Sequence, residues 1–182
     1  MPTITLLPTG TILQDSGWVA NSTTAHGDLN DDNGDTSYVA CTTDASRLIL
    51  SYSDLSQSGV AEADIDFSAG ISIRFVSSGR STSRRSTSRV VISFEEPDGF
   101  DEDCNYDPSP SSYETINGTA RTTSPATGIT WTYAELEGLE MRCVKETIGL
   151  SDVEVRLSYL ALEVTYTEAV AVDNATFFGA NF

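Results

Sequence analysis

The chain has 182 residues, of which 39% are hydrophobic, enough to bury the core of one domain but not of two. It carries 27 acidic residues against 10 basic ones, so its formal net charge at pH 7 is −17. Such a surface repels the phosphates of nucleic acids and anionic lipids, and we expect neither a nucleic acid nor a membrane as its partner.

Several short segments alternate apolar and polar residues, which is typical of strands with one buried and one solvent-exposed face. In chain order they are residues 4–6, 48–52, 63–67, 71–75 and 90–94. Loops rich in Gly, Ser, Asp and Pro separate them, which predicts an all-β fold, an antiparallel β-sandwich or barrel. We expect one domain over residues 1–167. Residues 1–10 form an N-terminal arm or a strand, and residues 168–182 form a C-terminal arm.

The last strong apolar run, Asp152 to Tyr166, changes its phase. Val153, Val155, Leu157 and Tyr159 alternate in one phase, and Leu160, Leu162, Val164 and Tyr166 alternate in the other. A strand with a period of two needs an extra residue to make this change. The run therefore predicts a β-bulge or bend between Tyr159 and Leu160, of the kind that lets one strand serve both sheets.

One segment has helical features. Thr132 and Glu135 have the spacing of a capping box, with the threonine at N-cap and the glutamate at N3. Leu136 and Leu139 follow at helical spacing, and Gly138 limits the length. We predict one short helix near 133–138, followed by a strand through Met141, Cys143 and Val144.

An arginine-rich segment runs from Gly79 to Arg89 between two predicted strands and repeats the unit Ser-Thr-Ser-Arg. We predict a long hairpin loop here. Its four arginines are candidates for docking onto the acidic face of a neighbouring subunit through Arg–carboxylate pairs: Arg80, Arg84, Arg85 and Arg89. The alternative is a solvated loop tip, because exposed ion pairs are individually weak.

The C-terminal tail ends in three aromatic residues that would expose costly apolar surface if they were free: Phe177, Phe178 and Phe182. We interpret them as part of an arm that orders when the protein assembles with a partner. A final strand and a disordered end are the alternatives.

Catalytic chemistry has few candidates. His26 is the only histidine, and no Gly-x-Ser-x-Gly motif accompanies it. With 27 carboxylates, no pair can be singled out as that of a glycosidase. We therefore predict no catalytic residues and no enzyme.

Cofactor and metal motifs are also weak. The segment Asp28 to Asp35 offers alternating oxygen ligands, but Asn33 and Val39 stand where an EF-hand needs glycine and an acid. We predict no cofactor and no metal. A structural cation in this loop remains an alternative to a turn whose side chains bind their own backbone.

The charge and cysteine patterns bear on the environment. Lys145 is the only lysine, and acid excess with scarce lysine is typical of proteins from molar salt, although an acidic protein from a GC-rich genome would look similar.

The chain has three cysteines, Cys41, Cys104 and Cys143. Their odd number and wide spacing favour free buried thiols. The segment Met1 to Thr5 lacks a signal-peptide pattern, so we expect synthesis in the cytoplasm without export.

The segment from Gly128 to Leu139, with Trp131-Thr132-Tyr133-Ala134-Glu135-Leu136, and the closing strand ending Val164-Thr165-Tyr166 resemble the C-terminal half of jelly-roll-like virion proteins of tailed phages and archaeal tailed viruses. The Gly17-Trp18 pair and the Asp-rich loop before Tyr38 also fit. The resemblance implies a jelly-roll-like sandwich without catalytic residues.

The resemblance also implies a role. We expect a virion structural protein, a capsid decoration or turret subunit that forms a trimer or pentamer and contacts other virion proteins such as the major capsid protein. A tail, baseplate or fibre component is the first alternative. A carbohydrate-binding β-sandwich module, from a different class of protein, is the second.

Overall fold

A computed structural model describes residues 1–22, 24–82, 88–96, 99–106, 112–147 and 153–170. β-Strands are the main regular structure of the described chain. Its strands are β1 Thr3–Leu6, β2 Pro8–Gln14, β3 Trp18–Ala20, β4 Val39–Cys41, β5 Arg47–Tyr52, β6 Ile71–Ser81, β7 Ser88–Glu96, β8 Gly99–Tyr106, β9 Glu114–Asn117, β10 Glu140–Thr147 and β11 Val155–Tyr166. Two single-turn helices, α1 at Ala25–Asp28 and α2 at Tyr133–Leu136, accompany them. No described helix has the length and apolar character needed to cross a membrane.

The strands form two antiparallel sheets. The first has the order β3-β4-β11-β6-β9, and β1 also pairs with β11; the second has the order β2-β5-β10-β7-β8. One edge of β11 pairs along its whole length with β6. The opposite edge is shared by two short strands, β4 at its beginning and β1 near its end. The α1 segment reaches the stretch of β11 between them, where the amide of Leu160 donates to the carbonyl of Leu29 at 3.2 Å.

The core lies between the two sheets and is built from the predicted alternation. Leu48, Leu50 and Tyr52 of β5 are buried, as are Ile71, Ile73 and Phe75 of β6. The intervening residues of these strands are more exposed, so each strand buries one face. The predicted all-β, antiparallel sandwich is confirmed.

The predicted change of phase in β11 is a β-bulge. Leu157 pairs with Gly79 and Tyr159 pairs with Ser78, which leaves Ser158 as the extra residue. The bulge therefore lies one residue before the predicted position, and β11 stays within one sheet. The hydroxyl of Ser158 donates to Asp32 at 3.1 Å, which ties the bulge to the loop after α1.

The prediction of a strand at residues 63–67 is wrong. This segment forms two 3₁₀ turns, Glu62–Asp64 and Phe67–Ala69, and Ile65 makes only a single bridge with Glu168. The reason is that the aspartates bind nearby backbone amides: Asp64 accepts from Ala61 N at 2.8 Å, and Asp66 accepts from Ser68 N at 3.0 Å. Such local bonds compete with strand pairing and favour turns.

Two segments rich in acidic residues contain regular structure. Residues 25–37 begin with α1, whose N-cap Thr24 accepts a hydrogen bond from the amide of Gly27. Residues 95–112 contain β8, the edge strand of the second sheet.

Candidate functional site

The short helix α2 begins with the predicted capping box. The amide and hydroxyl of Thr132 donate to Oε2 of Glu135 at 2.8 and 2.7 Å, and the amide of Glu135 donates back to the Thr132 hydroxyl at 3.3 Å. The helix ends at Leu136, two residues before the predicted end. The box fixes the carboxylate of Glu135 at one end of the sandwich.

Trp131 precedes this box and closes that end of the core. Its side chain is buried, and its ring packs against Phe94 of β7 with centroids 6.1 Å apart. Its Nε1–H donates to the carbonyl of Arg121 at 3.1 Å, and Arg121 in turn exchanges two backbone hydrogen bonds with Ile73 of β6. Trp131 is thus held by both sheets at once.

Two depressions flank Trp131, and together we call them the Trp131 groove. The first, the Glu135 depression, has a volume of about 330 Å³. Its lining is Phe94, Ser124, Pro125, Ala126, Trp131, Ala134, Glu135, Gly138, Leu139 and Glu140. The second, the Phe67 depression, has a volume of about 410 Å³. Its lining is Glu62, Phe67, Ser68, Thr130, Trp131, Thr132 and Tyr133.

A buried hydroxyl of the Glu135 depression lies beside the carboxylate. Ser124 is 1% exposed, and its side chain helps to lower the pKa of Glu135. Ser124 therefore belongs to the group of protein donors that hold Glu135 in place.

Glu135 is held in its ionised form. Burial raises its pKa, but hydrogen bonds from Ser124, Thr132 and Thr127 outweigh the burial, and the pKa lies below its usual value. Thr127 donates to Oε1 at 3.1 Å, so both carboxylate oxygens are oriented by the protein. The amide and hydroxyl of Thr132 occupy both acceptor positions of Oε2, so of the about four positions of a carboxylate at most about one, on Oε1, remains for a ligand.

The Phe67 depression places aromatic rings beside polar groups. Phe67 and Tyr133 are half-buried and pack against the core. The hydroxyl of Tyr133 donates to the carbonyl of Val60 at 2.9 Å, which fixes the ring. Burial, followed by the nearby Glu137, raises the pKa of Tyr133, so the phenol stays neutral at physiological pH.

The arginines predicted to dock onto a partner lie elsewhere. Arg80 is a residue of β6 and Arg89 of β7, so these two arginines lie in strands rather than in the predicted loop. Arg80 pairs with Asp35 at 3.1 Å and lies over the ring of Tyr113, and Arg89 pairs with Glu146 at 2.5 Å. The other predicted docking residues lie outside the described part of the chain: Arg84, Arg85, Phe177, Phe178 and Phe182.

The carboxylates of the Asp28–Asp35 segment point to different partners. Asp28 is buried and accepts from the amide and hydroxyl of Ser22. Asp32 accepts from Ser158, and Asp35 from Arg156 at 3.1 Å. Among the residues that the structure describes, no group of three acidic, histidine or cysteine side chains could hold a metal ion.

His26 and the thiols take part in local packing. His26 lies in α1, and its Nδ1 is 3.1 Å from the hydroxyl of Thr11. Cys41 and Cys143 are free and buried. Burial raises the pKa of Cys143 to about 12, so this thiol is inert as a nucleophile.

The Thr132–Glu135 box was predicted from the sequence, but the Trp131 groove, of which it forms one wall, was not. The available signal was the cluster Trp131-Thr132-Tyr133, which sets two aromatic residues beside the N-terminus of the predicted helix. The rest of the lining, including Phe67 and Phe94, comes from distant parts of the chain.

Neither a protein-family model nor a curated protein matches the chain. Among solved structures it is similar to the CBM36-1 domain of a multidomain xylanase from the hindgut metagenome of Trinervitermes trinervoides, with 12% identity and a TM-score of 0.41 over 92% of this chain and 100% of that one. It is also similar to the xylan-binding module CBM15, with 9% identity and a TM-score of 0.44 over 93% of this chain and 100% of that one. A third match is the enzymatically active domain of bacteriophage CBA120 tailspike protein 4, with 9% identity and a TM-score of 0.42 over 86% of this chain and 18% of that one.

Proposed function

We propose that the chain is a non-catalytic carbohydrate-binding β-sandwich module that binds its ligand in the Trp131 groove. The observation that carries the proposal is the composition of this groove, in which aromatic side chains and oriented polar groups line two adjoining depressions. Small-molecule sites are typically concave and largely apolar, with a few well-placed polar groups that fix orientation.

The groove suits the chemistry of a sugar. A pyranose ring presents C–H groups that pack on an aromatic ring such as Phe67 or Tyr133, and hydroxyls that donate to a fixed carboxylate such as Glu135. Glu62, Glu135 and Glu140 give the lining a negative charge, which outweighs the one positive charge of Arg121, whose guanidinium lies 5.7 Å from the centre of the Phe94 ring. A neutral sugar is therefore favoured over an anionic one such as a uronic or sialic acid.

The state of Glu135 does not suit the general acid of a glycosidase. A glycosidase needs a general acid whose pKa is raised so that it holds a proton near neutral pH. The pKa of Glu135 is lowered instead, and both of its oxygens already accept hydrogen bonds from the protein. Glu135 can thus accept a hydrogen bond from a ligand but is poorly suited to donate a proton.

A third depression, of about 340 Å³, is a weaker candidate. It lies beside Val19, Ala40 and Glu154 on the outer side of the first sheet. Its one aromatic residue, Tyr38, already has a ring face covered by the guanidinium of Arg156 at 4.4 Å. That face is not free to pack against a sugar.

A glycan array followed by isothermal titration tests the proposal. We expect at least one neutral oligosaccharide among cellohexaose, xylohexaose, mannohexaose and chitohexaose to bind. Phe67→Ala should weaken this binding about tenfold, which equals the loss of about 1.4 kcal/mol, in line with one aromatic contact. Tyr113→Ala is the matched control, because Tyr113 is also half-buried but lies next to Arg80 and outside the groove. A folded protein that binds none of these sugars at millimolar concentration contradicts the proposal.

A structural role on a virion, which the sequence resemblance implies, stays a prediction, as do the trimer or pentamer and the contact with a major capsid protein. It is compatible with glycan binding, because a tail or fibre component can contact sugars on a host surface. Quantitative mass spectrometry of purified particles checks this role. Hundreds of copies per particle indicate a shell protein, a handful indicates a tail protein, and absence from particles contradicts the virion role.

A further inference from the structure

We infer that the ligand of the Trp131 groove is an oligosaccharide chain that crosses Trp131 and places at least one sugar ring in each depression. This inference rests on the proposed function and adds the size and direction of the ligand. Its structural basis is that the two depressions share one residue and are joined by a hydrogen-bonded wall.

Trp131 lines both depressions, so they adjoin at this residue. Their common wall is the capping box. Thr132, which lines the Phe67 depression, donates its amide and its hydroxyl to Glu135, which lines the Glu135 depression. The two sides are therefore fixed relative to each other before any ligand arrives, which lowers the entropy cost of binding a ligand that touches both.

Each depression is small. Their volumes, about 330 and 410 Å³, lie near the lower end of the range of about 300–1,000 Å³ that is usual for small-molecule sites. A monosaccharide would occupy one depression and leave the other to water. A chain of sugars can fill both, provided that it runs across Trp131.

Each depression also has its own apolar surface and its own hydrogen-bonding groups. The first offers the partly exposed Pro125 and the Glu135 carboxylate. The second offers Phe67, Glu62 and Ser68. When one ring is bound, the next ring of the same chain is held near the second depression, so the affinity of the chain exceeds that of either ring alone.

The experiment is a series of titrations with cello-, xylo- and manno-oligosaccharides of one to six units. For the sugar that binds, we expect the hexasaccharide to bind at least about tenfold more tightly than the monosaccharide. Phe67→Ala should reduce this ratio to about threefold or less, because it removes the aromatic contact on one side only. Glu62→Gln, on an exposed 3₁₀ turn, is a second variant for the same side, and Tyr113→Ala should keep the full ratio.

The outcomes separate the two claims. If the monosaccharide and the hexasaccharide bind equally within about twofold, or if both Phe67→Ala and Glu62→Gln keep the full ratio, the inference is overturned while the proposed function stands. If no sugar of any length binds to the folded protein, the proposed function itself fails.

Discussion

The rings of Trp131 and Phe94 pack at an angle of 56° with their centroids 6.1 Å apart, and this contact joins the floor of the groove to the core between the sheets. Tilted aromatic pairs at this separation contribute about 0.5–1.5 kcal/mol beyond the area that they bury. The residue that shapes the candidate site is therefore also a residue that stabilises the fold.

We expect Trp131→Ala to lower the free energy of unfolding by about 3–5 kcal/mol, as for other buried aromatic residues. Trp131→Phe keeps a ring next to Phe94 but loses the hydrogen bond from Nε1 to Arg121, so a loss of about 1–2 kcal/mol is expected. Urea unfolding followed by circular dichroism measures both. Equal, small effects of the two variants would show that Trp131 does not close the core.

Glu135 should make stability depend on pH in the acid range. Its pKa is below its usual value in the folded protein, so its contribution to stability is fully present above the usual carboxyl pKa of about 4.3 and is lost as the pH falls through the lower, folded value. Glu135→Gln keeps a side chain that can complete the capping box but removes the titrating group.

We therefore expect the stability difference between the wild type and Glu135→Gln to be largest near pH 7 and to shrink below about pH 4. Urea unfolding at several pH values measures it. A difference that grows as the pH falls would mean that the carboxylate is destabilised in the folded state.

Asp35 should contribute more to stability than an isolated surface carboxylate, because it pairs with two arginines. Its two oxygens lie 3.1 Å from Arg80 and from Arg156, whose side chains are only 24% and 21% exposed. We expect Asp35→Asn to lower the free energy of unfolding by about 1 kcal/mol, because the two neighbouring arginines lose this carboxylate as a partner.

Glu163→Gln is the control for Asp35→Asn. Glu163 pairs with a single arginine, Arg74, which is more exposed than Arg80 and Arg156. Its substitution should lower the free energy of unfolding by about 0.5 kcal/mol or less. Thermal unfolding of both variants gives the comparison. If Glu163→Gln lowers the stability as much as Asp35→Asn does, the second ion pair of Asp35 does not contribute to stability.

The net charge of −17 predicts a strong response to salt. At about 1 M salt the Debye length is about 3 Å, so repulsion among the carboxylates is almost completely screened. We expect the melting temperature to rise steadily from dilute buffer toward molar sodium chloride. A melting temperature that does not change over this range would contradict the prediction that the protein is adapted to high salt.

Alternation and capping were predictable from sequence because they depend on neighbouring residues. The β5 and β6 patterns, the extra residue in β11 and the Thr132–Glu135 box all follow from spacing over a few positions. The segment 63–67 shows the limit of this approach. Its alternation is that of a strand, but Asp64 and Asp66 bind local amides and turn the chain.

The groove could not be predicted in the same way, because its parts meet only in the folded chain. Phe67 follows a turn between β5 and β6, Phe94 lies in β7, and Trp131 precedes α2. Local patterns say nothing about contacts between segments that are separated by tens of residues. The predicted site residues were therefore arginine and phenylalanine clusters that are contiguous in sequence, such as Arg84-Arg85 and Phe177-Phe178.

The most direct test of the groove uses the indole signals of the two tryptophans in a ¹⁵N–¹H spectrum. Trp131 lines the groove near the start of β10, and its Nε1–H donates to Arg121. The Nε1–H of Trp18 donates to the carbonyl of Ser46, which also accepts from the amide of Lys145 near the other end of β10. The two indole groups therefore report on opposite ends of this strand. The Trp131→Phe variant assigns the two signals. On titration with the best-binding hexasaccharide of the cello, xylo or manno series, we expect the Trp131 signal to shift and the Trp18 signal to stay in place. A Trp131 signal that does not move, while the protein is folded and the sugar is present at millimolar concentration, would contradict binding in the Trp131 groove.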